Sequence, residues 1–299
     1  MLLYGFAGNL YVLFLLRVII GILGGASTVG LVLISALSPR ERLHKDLSLY
    51  HTAQTTGQLI GPPIGAYMVN LAGYRPSFVI AAFIIGSFFV FCNRYVQDIP
   101  CRTISKDSGR TLQKGIFWGW LLSLVATMHI TYIPSILPHI LESFQLKEAE
   151  ALNSAGIIMM AYILTAIVGN YLINNFAPRH KLRRVITCIG ILAAFFQAVM
   201  VFGNGVVSFT LIRMLQTAVI AAVFPMILSV FASGVRGGTV GFLNSARFAG
   251  NFVGPFLATS VVAYSNLLAL YLIISALTLV ALAAFLQSTK TAFSAQPEG

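Results

Sequence analysis

The stretch GQLIGP (Gly57–Pro62) returns as GNFVGP (Gly250–Pro255), 193 residues further along the chain. Both copies read Gly-x-x-x-Gly-Pro. Each follows, at a similar interval, an arginine that stands early in an apolar segment, Arg17 for the first copy and Arg213 for the second. The paired motifs indicate an internal duplication, and a duplication in an apolar chain predicts two related helical bundles.

The composition is that of a membrane protein. Apolar residues make up 58% of the 299 residues, charged residues only 9%, and the mean hydropathy is +0.86. Soluble domains carry about 25% charged residues. The net charge of +11 comes from basic residues in short loops between apolar blocks, where such residues orient a membrane protein. We therefore expect the lipid bilayer as a partner and no nucleic acid.

Apolar blocks long enough to cross a bilayer recur to the C-terminal end of the sequence. Lys and Arg concentrate in every second loop, so those loops are predicted to be cytoplasmic. The predicted spans, all helical, are 10–37, 47–72, 74–96, 115–140, 152–176, 184–203, 206–232, 238–264 and 266–287.

The one long polar stretch is typical of a linker between two bundles. The predicted parts are the remainder of an N-terminal bundle (1–96), a cytoplasmic linker (97–114), a C-terminal six-helix bundle (115–288) and a cytoplasmic tail (289–299). Three spans precede the linker and six follow it. If the bundles are copies, the offset of the motifs predicts roughly 80 further residues, with three more helices, before Met1. A fragment, a late start codon or a truncated gene would each account for this.

Four segments resemble motifs of the major facilitator superfamily, whose members consist of two six-helix bundles. RVIIGILGGA (17–26) resembles the fourth-helix motif, and GQLIGPPIGA (57–66) resembles the fifth-helix motif of the drug:proton antiporter group, with Ala66 in place of the last glycine. RMLQTAVIAAVFP (213–225) and GNFVGPFLA (250–258) are the counterparts in the tenth and eleventh helices. The resemblance implies an all-α membrane protein with nine complete helices of a 6+6 plan.

The glycine motifs are predicted to form a hinge or seam between bundles. Small residues four apart let helix backbones approach closely, and the adjacent proline permits a kink. The alternative is that the glycines only pack helices together. The residues concerned are Gly57, Gly61, Pro62, Gly65, Gly250, Gly254 and Pro255.

Charged or titratable residues inside spans are the candidates for proton coupling or substrate binding. Arginine within a span costs about 2.5–3.5 kcal/mol on insertion scales, which requires a partner. Arg17 and Arg213 could bind an anionic group or tune a proton-carrying acid, or could be interfacial anchors. Arg247 lies on one face of its helix with Asn244 and Asn251, either as part of a pathway or as structural glue. His129 could carry a proton near neutral pH or be a hydrogen-bonded core histidine.

Polar residues are unevenly shared among the spans. In the fold that the chain resembles, the sixth, ninth and twelfth helices are the outer ones, and here they are almost purely apolar. Intramembrane polar groups mark a pathway more often than a lipid-facing surface. The predicted cavity-lining residues are Gln54, Tyr132, Tyr162, Gln216, Asn244 and Asn251.

All eight acidic residues fall in loops, at helix ends or in the tail. A proton carrier would therefore be His129 or an acid in further helices. No nucleophile, zinc-protease or phosphate-loop motif is present, so we expect no enzyme activity, no cofactor and no metal.

The sequence thus predicts a proton-coupled secondary transporter that exports drugs or small metabolites by alternating access. We expect a monomer in the bacterial inner membrane. The alternatives are a sugar, amino-acid or organic-anion carrier of the same fold, or a truncated remnant that does not transport.

Overall fold

The computed structural model describes residues 3, 7–23, 26–39, 41–95, 113–146, 148–178, 181–232 and 237–289. Within these residues the chain is helical throughout and contains no strand. The predicted linker and tail lie almost entirely outside the described residues. The helices are α1 (Leu10–Leu23), α2 (Ala26–Leu37), α3 (Leu43–Ala72), α4 (Tyr74–Tyr95), α5 (Gln113–Thr131), α6 (Ile133–Ser143), α7 (Glu148–Phe176), α8 (Leu182–Val199), α9 (Val206–Ile220), α10 (Val223–Ala232), α11 (Gly237–Tyr264) and α12 (Leu267–Ser288).

The helices fall into two compact units. Unit 1 comprises Met1–Gly30 and Gly57–Ile104, and unit 2 comprises Leu31–Thr56 and Ser105–Gly299. Residues 31–56, which the sequence assigned to the N-terminal bundle, therefore cluster with the C-terminal helices. The division falls inside α3, immediately before the first Gly-x-x-x-Gly-Pro motif.

In unit 1, α4 directly follows α3 through a one-residue connection. Gly73 adopts φ +82°, and its N–H donates to the Val69 carbonyl at 2.8 Å. This left-handed conformation is one that glycine adopts without a steric penalty, which is why it ends the helix here. The apolar stretch of α4 is only 6% buried, as expected of a surface in contact with lipid.

Unit 2 contains two helices that are broken in their middle. The axis bends by 43° between α5 and α6, at Tyr132, and Pro134 follows two residues later. Proline lacks an N–H and clashes with the preceding turn, so it favours this bend. The second break separates α9 from α10 and precedes Pro225. The apolar stretch Val206–Phe231, which contains this break, is 78% buried.

The core of unit 2 is formed by pairs of facing helices. The largest contacts join α5 to α11, α7 to α9, and α12 to α8. Two clusters of buried apolar residues result, one around Leu122, Ile227 and Phe285, and one around Phe209 and Ile274. At the α7–α9 contact the backbones approach so closely that a Cβ on Gly169 would overlap the carbonyl group of Ala218.

Five helices in the described part of the chain are long and apolar enough to cross a membrane, and a sixth is added if α5 and α6 count as one span. The predicted count of nine is not confirmed. The helices α3 and α11 are 30 and 28 residues long but are not among the six, because they carry many polar residues. The predicted span 10–37 is divided between the shorter helices α1 and α2.

The close α7–α9 contact makes a specific prediction. Gly169→Ala should lower the midpoint of thermal unfolding in detergent, because the added methyl must push α9 away at a cost of about 1–3 kcal/mol. The matched control is Gly156→Ala in the same helix, where nothing lies within 4 Å of the added Cβ. Equal midpoints for the two variants would contradict the packing described here.

Candidate functional site

Arg213 is the largest fully buried side chain of the described chain. It belongs to α9. The stretch Val206–Phe231, which runs through α9 and most of α10, is the most buried of the spans. Its guanidinium lies 5.1 Å from the ring centroid of Tyr132 and 4.9 Å from that of Tyr162. Two aromatic faces thus contact one cation, an interaction worth about 2 kcal/mol or more when desolvated.

The bend between α5 and α6 supplies the hydrogen-bond acceptors for Arg213. Its Nη2 donates to the carbonyl oxygens of His129 and, at 3.5 Å, Ile130. Pro134 has no N–H, so the Ile130 carbonyl lacks its helical donor and is available to another group. Nη1 donates to Gln216 Oε1 at 2.5 Å, while Nε has no partner among the described residues. The broken helix thus presents carbonyl dipoles to a buried positive charge.

No carboxylate compensates this charge within the described part of the chain. The one ion pair there joins His139 and Glu142 on exposed surface of α6. A buried charge without a counter-ion is costly, and dipoles and aromatic faces offset that cost only in part. This makes the surroundings of Arg213 a site where an added negative charge would be stabilised.

His129 is also fully buried and contacts three helices. Its Nε2 lies 2.7 Å from Thr278 Oγ1 on α12, and its Nδ1 lies 3.2 Å from Gln197 Oε1 on α8. The side-chain amide of Gln216 on α9 also reaches Nδ1. Tyr132 joins the same cluster, because Gln197 Nε2 donates to its hydroxyl at 3.0 Å. We call the set Arg213, His129, Gln216, Gln197, Thr278, Tyr132 and Tyr162 the arginine–histidine cluster.

Gln197 and Thr278 were missed by sequence reasoning because they lie in helices predicted to face lipid. A signal was available. On α8, Gln197 follows the buried Ala193, Gly190 and Ile186 at helical spacing, so it continues the buried face of that helix. A single amide in line with small residues indicates an inward-facing polar contact better than the overall hydrophobicity of the helix does.

Arg247 forms a second cluster in unit 2. Its Nη1 donates to Gln54 Oε1 on α3 at 2.9 Å, and its guanidinium lies 5.1 Å from the Phe224 ring centroid. Gln54 in turn donates to the Tyr50 hydroxyl at 3.2 Å. His51 packs against the same phenylalanine, with 6.0 Å between its ring and that of Phe224. Arg247 is only half-buried, unlike Arg213.

The N-terminal part of α3 binds α7 through polar contacts at four-residue intervals. His44 Nε2 lies 3.0 Å from the Ala177 carbonyl, and Ser48 Oγ donates to the Asn170 carbonyl at 3.1 Å. The Asn170 amide donates back to the Ser48 carbonyl at 3.1 Å and to Thr52 Oγ1 at 2.8 Å. Sequence reasoning identified none of these residues. We call this set of contacts, made by His44, Ser48, Thr52, Asn170 and Ala177, the α3–α7 ladder.

The two glycine motifs differ in their surroundings. A Cβ on Gly250 would lie 2.7 Å from the Leu124 carbonyl oxygen, and one on Gly254 would lie 2.8 Å from Thr131 Oγ1. The first copy differs, because Gly57, Gly61 and Gly65 have nothing within 4 Å of an added Cβ. The second copy is a close contact between α11 and α5, and Pro255 lies inside α11 without breaking it.

The remaining predicted residues do not gather at one place. Asn244 is buried in unit 2, whereas Asn251 is exposed. The side chains of Arg17 and Pro62 lie outside the described residues. The structure thus brings together Arg213, His129, Gln216, Tyr132 and Tyr162, and separately Arg247 with Gln54. The proton, substrate and hinge roles assigned to these residues stay predictions.

Comparison with known proteins gives the same fold. The chain superimposes on the human organic anion transporter MFSD10 (TETRAN) with a TM-score of 0.74 at 18% identity, covering 94% of this chain and 72% of that one. It superimposes on a variant of the Escherichia coli fucose:proton symporter FucP with a TM-score of 0.65 at 16% identity, covering 90% and 74%. Both solved structures are transporters.

Sequence comparison identifies relatives and the family. Multidrug resistance protein MdtG of Yersinia enterocolitica is 26% identical over 273 residues, which are 87% of this chain and 66% of MdtG. The chain thus spans about two thirds of the length of that relative. The sequence model of the Major Facilitator Superfamily matches residues 1–112 and 119–298. The chain belongs to the Major Facilitator Superfamily of multi-pass membrane transporters.

Proposed function

We propose that this protein is a proton-coupled exporter of drugs or small metabolites that works by alternating access in the bacterial inner membrane. The observation that carries the proposal is the arginine–histidine cluster. It places a titratable ring at the bend of a broken helix, next to a buried cation that has no carboxylate partner among the described residues. A proton entering there changes the balance of charge inside a packed bundle, which is the requirement for coupling protonation to a conformational change.

Export is supported by the relatives named multidrug resistance protein MdtG. Proton coupling has a precedent of the same fold in the fucose:proton symporter. The loops rich in Lys and Arg would face the cytoplasm, and the N-terminal part of α3 would lie on that side. His129 and Arg213 are the proposed coupling residues, and Arg17 is retained from the sequence as a third.

The direct test uses everted membrane vesicles from cells that express the natural gene. With an acid interior established by respiration, adding an exported compound should release protons and raise the signal of a pH-sensitive dye. His129→Asn should lower that proton release at least tenfold, because asparagine keeps polarity but takes up no proton. Vesicles from cells carrying an empty vector are the control. Compound movement that persists unchanged after the proton gradient is collapsed would overturn the proposal.

Alternating access requires that the α3–α7 ladder separate during transport, since contacts that close one side must open for release. Ser48→Cys combined with Asn170→Cys should therefore block export when the two thiols are oxidised, and a reductant should restore it. The background is the chain with its three native cysteines changed to serine. The single variant Ser48→Cys, treated with the same oxidant, is the control. Full export by the cross-linked protein would show that α3 and α7 need not separate.

A second candidate function is the export of organic anions. Arg247 is half-buried, donates to an uncharged amide and has no carboxylate partner among the described residues. A half-buried cation of this kind attracts an anionic group and repels a cationic one. The human transporter with a TM-score of 0.74 to this chain is described as an organic anion transporter.

The charge of the substrate separates the two candidates. If Arg247 binds an anionic group, Arg247→Gln should lower export of an anionic dye about tenfold or more, which corresponds to a charge-assisted hydrogen bond. Arg247→Lys, which keeps the charge, should retain most of the export of the anionic dye. The unmodified protein and both variants should export a cationic dye of similar size poorly. Preferential export of the cationic dye, unaffected by either substitution, would exclude the anion candidate.

A further inference from the structure

The hydrogen atoms of the arginine–histidine cluster can be placed from two independent ends. At one end, Thr278 Oγ1 donates its only hydrogen to the Ile274 carbonyl at 2.7 Å. Since a hydroxyl has one hydrogen, Thr278 can only accept from His129 Nε2, which lies 2.7 Å away. His129 therefore carries its hydrogen on Nε2.

At the other end, Arg213 fixes the orientation of Gln216. A guanidinium only donates hydrogen bonds, so the group that receives Nη1 at 2.5 Å must be the amide oxygen of Gln216. The amide nitrogen then faces His129 Nδ1 and donates to it. Nδ1 must therefore be an acceptor without a hydrogen. Both ends specify the same neutral ring with its proton on Nε2.

A second proton on the ring is incompatible with this arrangement. It would attach to Nδ1, where Gln197 Oε1 lies 3.2 Å away as an acceptor but the Gln216 amide nitrogen is nearer. Two donors, Nδ1–H and the Gln216 amide, would therefore oppose each other. If the amide turns over, its oxygen accepts from Nδ1, but its nitrogen then faces Arg213 Nη1, again two donors. The added proton would also place a second positive charge close to Arg213, in an interior of low dielectric.

We propose that Gln216 makes protonation of His129 and hydrogen bonding of Arg213 mutually exclusive, so that each proton taken up displaces the arginine. Gln216 is then a positioning residue, which the sequence predicted only as a cavity-lining one. The inference rests on the proton-coupled transport proposed above and supplies the step by which the proton acts. The displaced guanidinium leaves the acceptors offered by Gln216 and by the α5–α6 bend.

The other groups around the pair set the electrostatic background. Tyr132 at the bend and Tyr162 on α7 face the guanidinium through their rings. Tyr271 on α12 belongs to the same buried cluster as Tyr132 and Tyr162. From α8 comes Gln197, which does not titrate. Among the described residues, no helix packed against the pair contributes a carboxylate to the cluster, so the proton has no alternative acidic acceptor there.

The first test measures the protonation state of the unmodified network and uses a substitution only to assign the signals. The protein is purified with ¹⁵N-labelled histidine, and His129 is assigned by the signals that disappear in His129→Asn. At pH 8 the spectrum should show a neutral ring with its hydrogen on Nε2. A neutral ring with its hydrogen on Nδ1, or a doubly protonated ring at that pH, would overturn the inference.

The second test replaces Gln216, which we call the relay because it contacts both His129 and Arg213. Gln216→Glu keeps the length of the side chain, and its two oxygens can accept from Nδ1–H and Arg213 at once. His129 should then carry two protons at a pH where the unmodified protein has one, and proton release in the vesicle assay should fall at least tenfold. The matched control is Asn204→Asp, the same exchange of an amide for a carboxylate at an exposed loop position outside the cluster, and it should retain coupled release. A further variant, Gln197→Met, removes the amide oxygen that lies 3.2 Å from Nδ1 and tests whether α8 carries the proton coupling instead.

The possible results separate the inference from the proposed function. An unchanged His129 spectrum and unchanged proton release in Gln216→Glu would refute the relay. Loss of coupling in Gln197→Met with coupling retained in Gln216→Glu would assign the relay to α8 and refute the role given to Gln216. If the His129 spectra are as expected but the unmodified protein shows no proton-driven export, the proposed function is refuted. Protonation of His129 and hydrogen bonding of Arg213 to Gln216 would still be mutually exclusive.

Discussion

The buried guanidinium of Arg213 constrains the helices of unit 2 that surround it. A positive charge can remain inside an apolar bundle only if dipoles and aromatic faces surround it. Here they come from the α5–α6 bend, from α7 through Tyr162, and from α9 itself through Gln216. The bend is therefore a requirement of the charge as well as a consequence of Pro134. With a residue other than proline at position 134, the N–H of that residue could pair with the Ile130 carbonyl within the helix and close it to Arg213.

The all-helical membrane fold was predictable because its signals are local. Apolar blocks, basic loops and turn residues such as Gly73 need no knowledge of distant contacts. The pairing of Arg213 with His129 was not predictable in the same way. Each residue was a candidate by itself, but the contact joins positions 84 residues apart and depends on carbonyl groups that the bend presents to Arg213. Burial of Gln216 against both residues follows only from how α9 is rotated.

The errors in the sequence-based expectations have physical causes. The α3–α7 ladder uses serine, threonine and asparagine, which are common and carry no motif, so nothing in the sequence set them apart. The two glycine motifs are alike in sequence but differ in their surroundings, because close packing is a property of the neighbouring helix. Gly250 meets the α5 backbone, while Gly57 meets nothing within 4 Å. The count of nine spans is not confirmed at α3 and α11, because these long helices carry many polar residues.

The polar contacts of α8 and α12 have a consequence for how those helices are oriented. α12 in particular is apolar on nearly every side, so burial of hydrocarbon surface alone barely favours one rotation about its axis over another. One glutamine or threonine changes this, since turning the helix by a quarter would transfer Gln197 or Thr278 from a hydrogen-bonded interior into lipid, at a cost of several kcal/mol. A single polar side chain thus sets the rotation of a helix about its axis, although the stability of that helix in the membrane comes from its apolar surface.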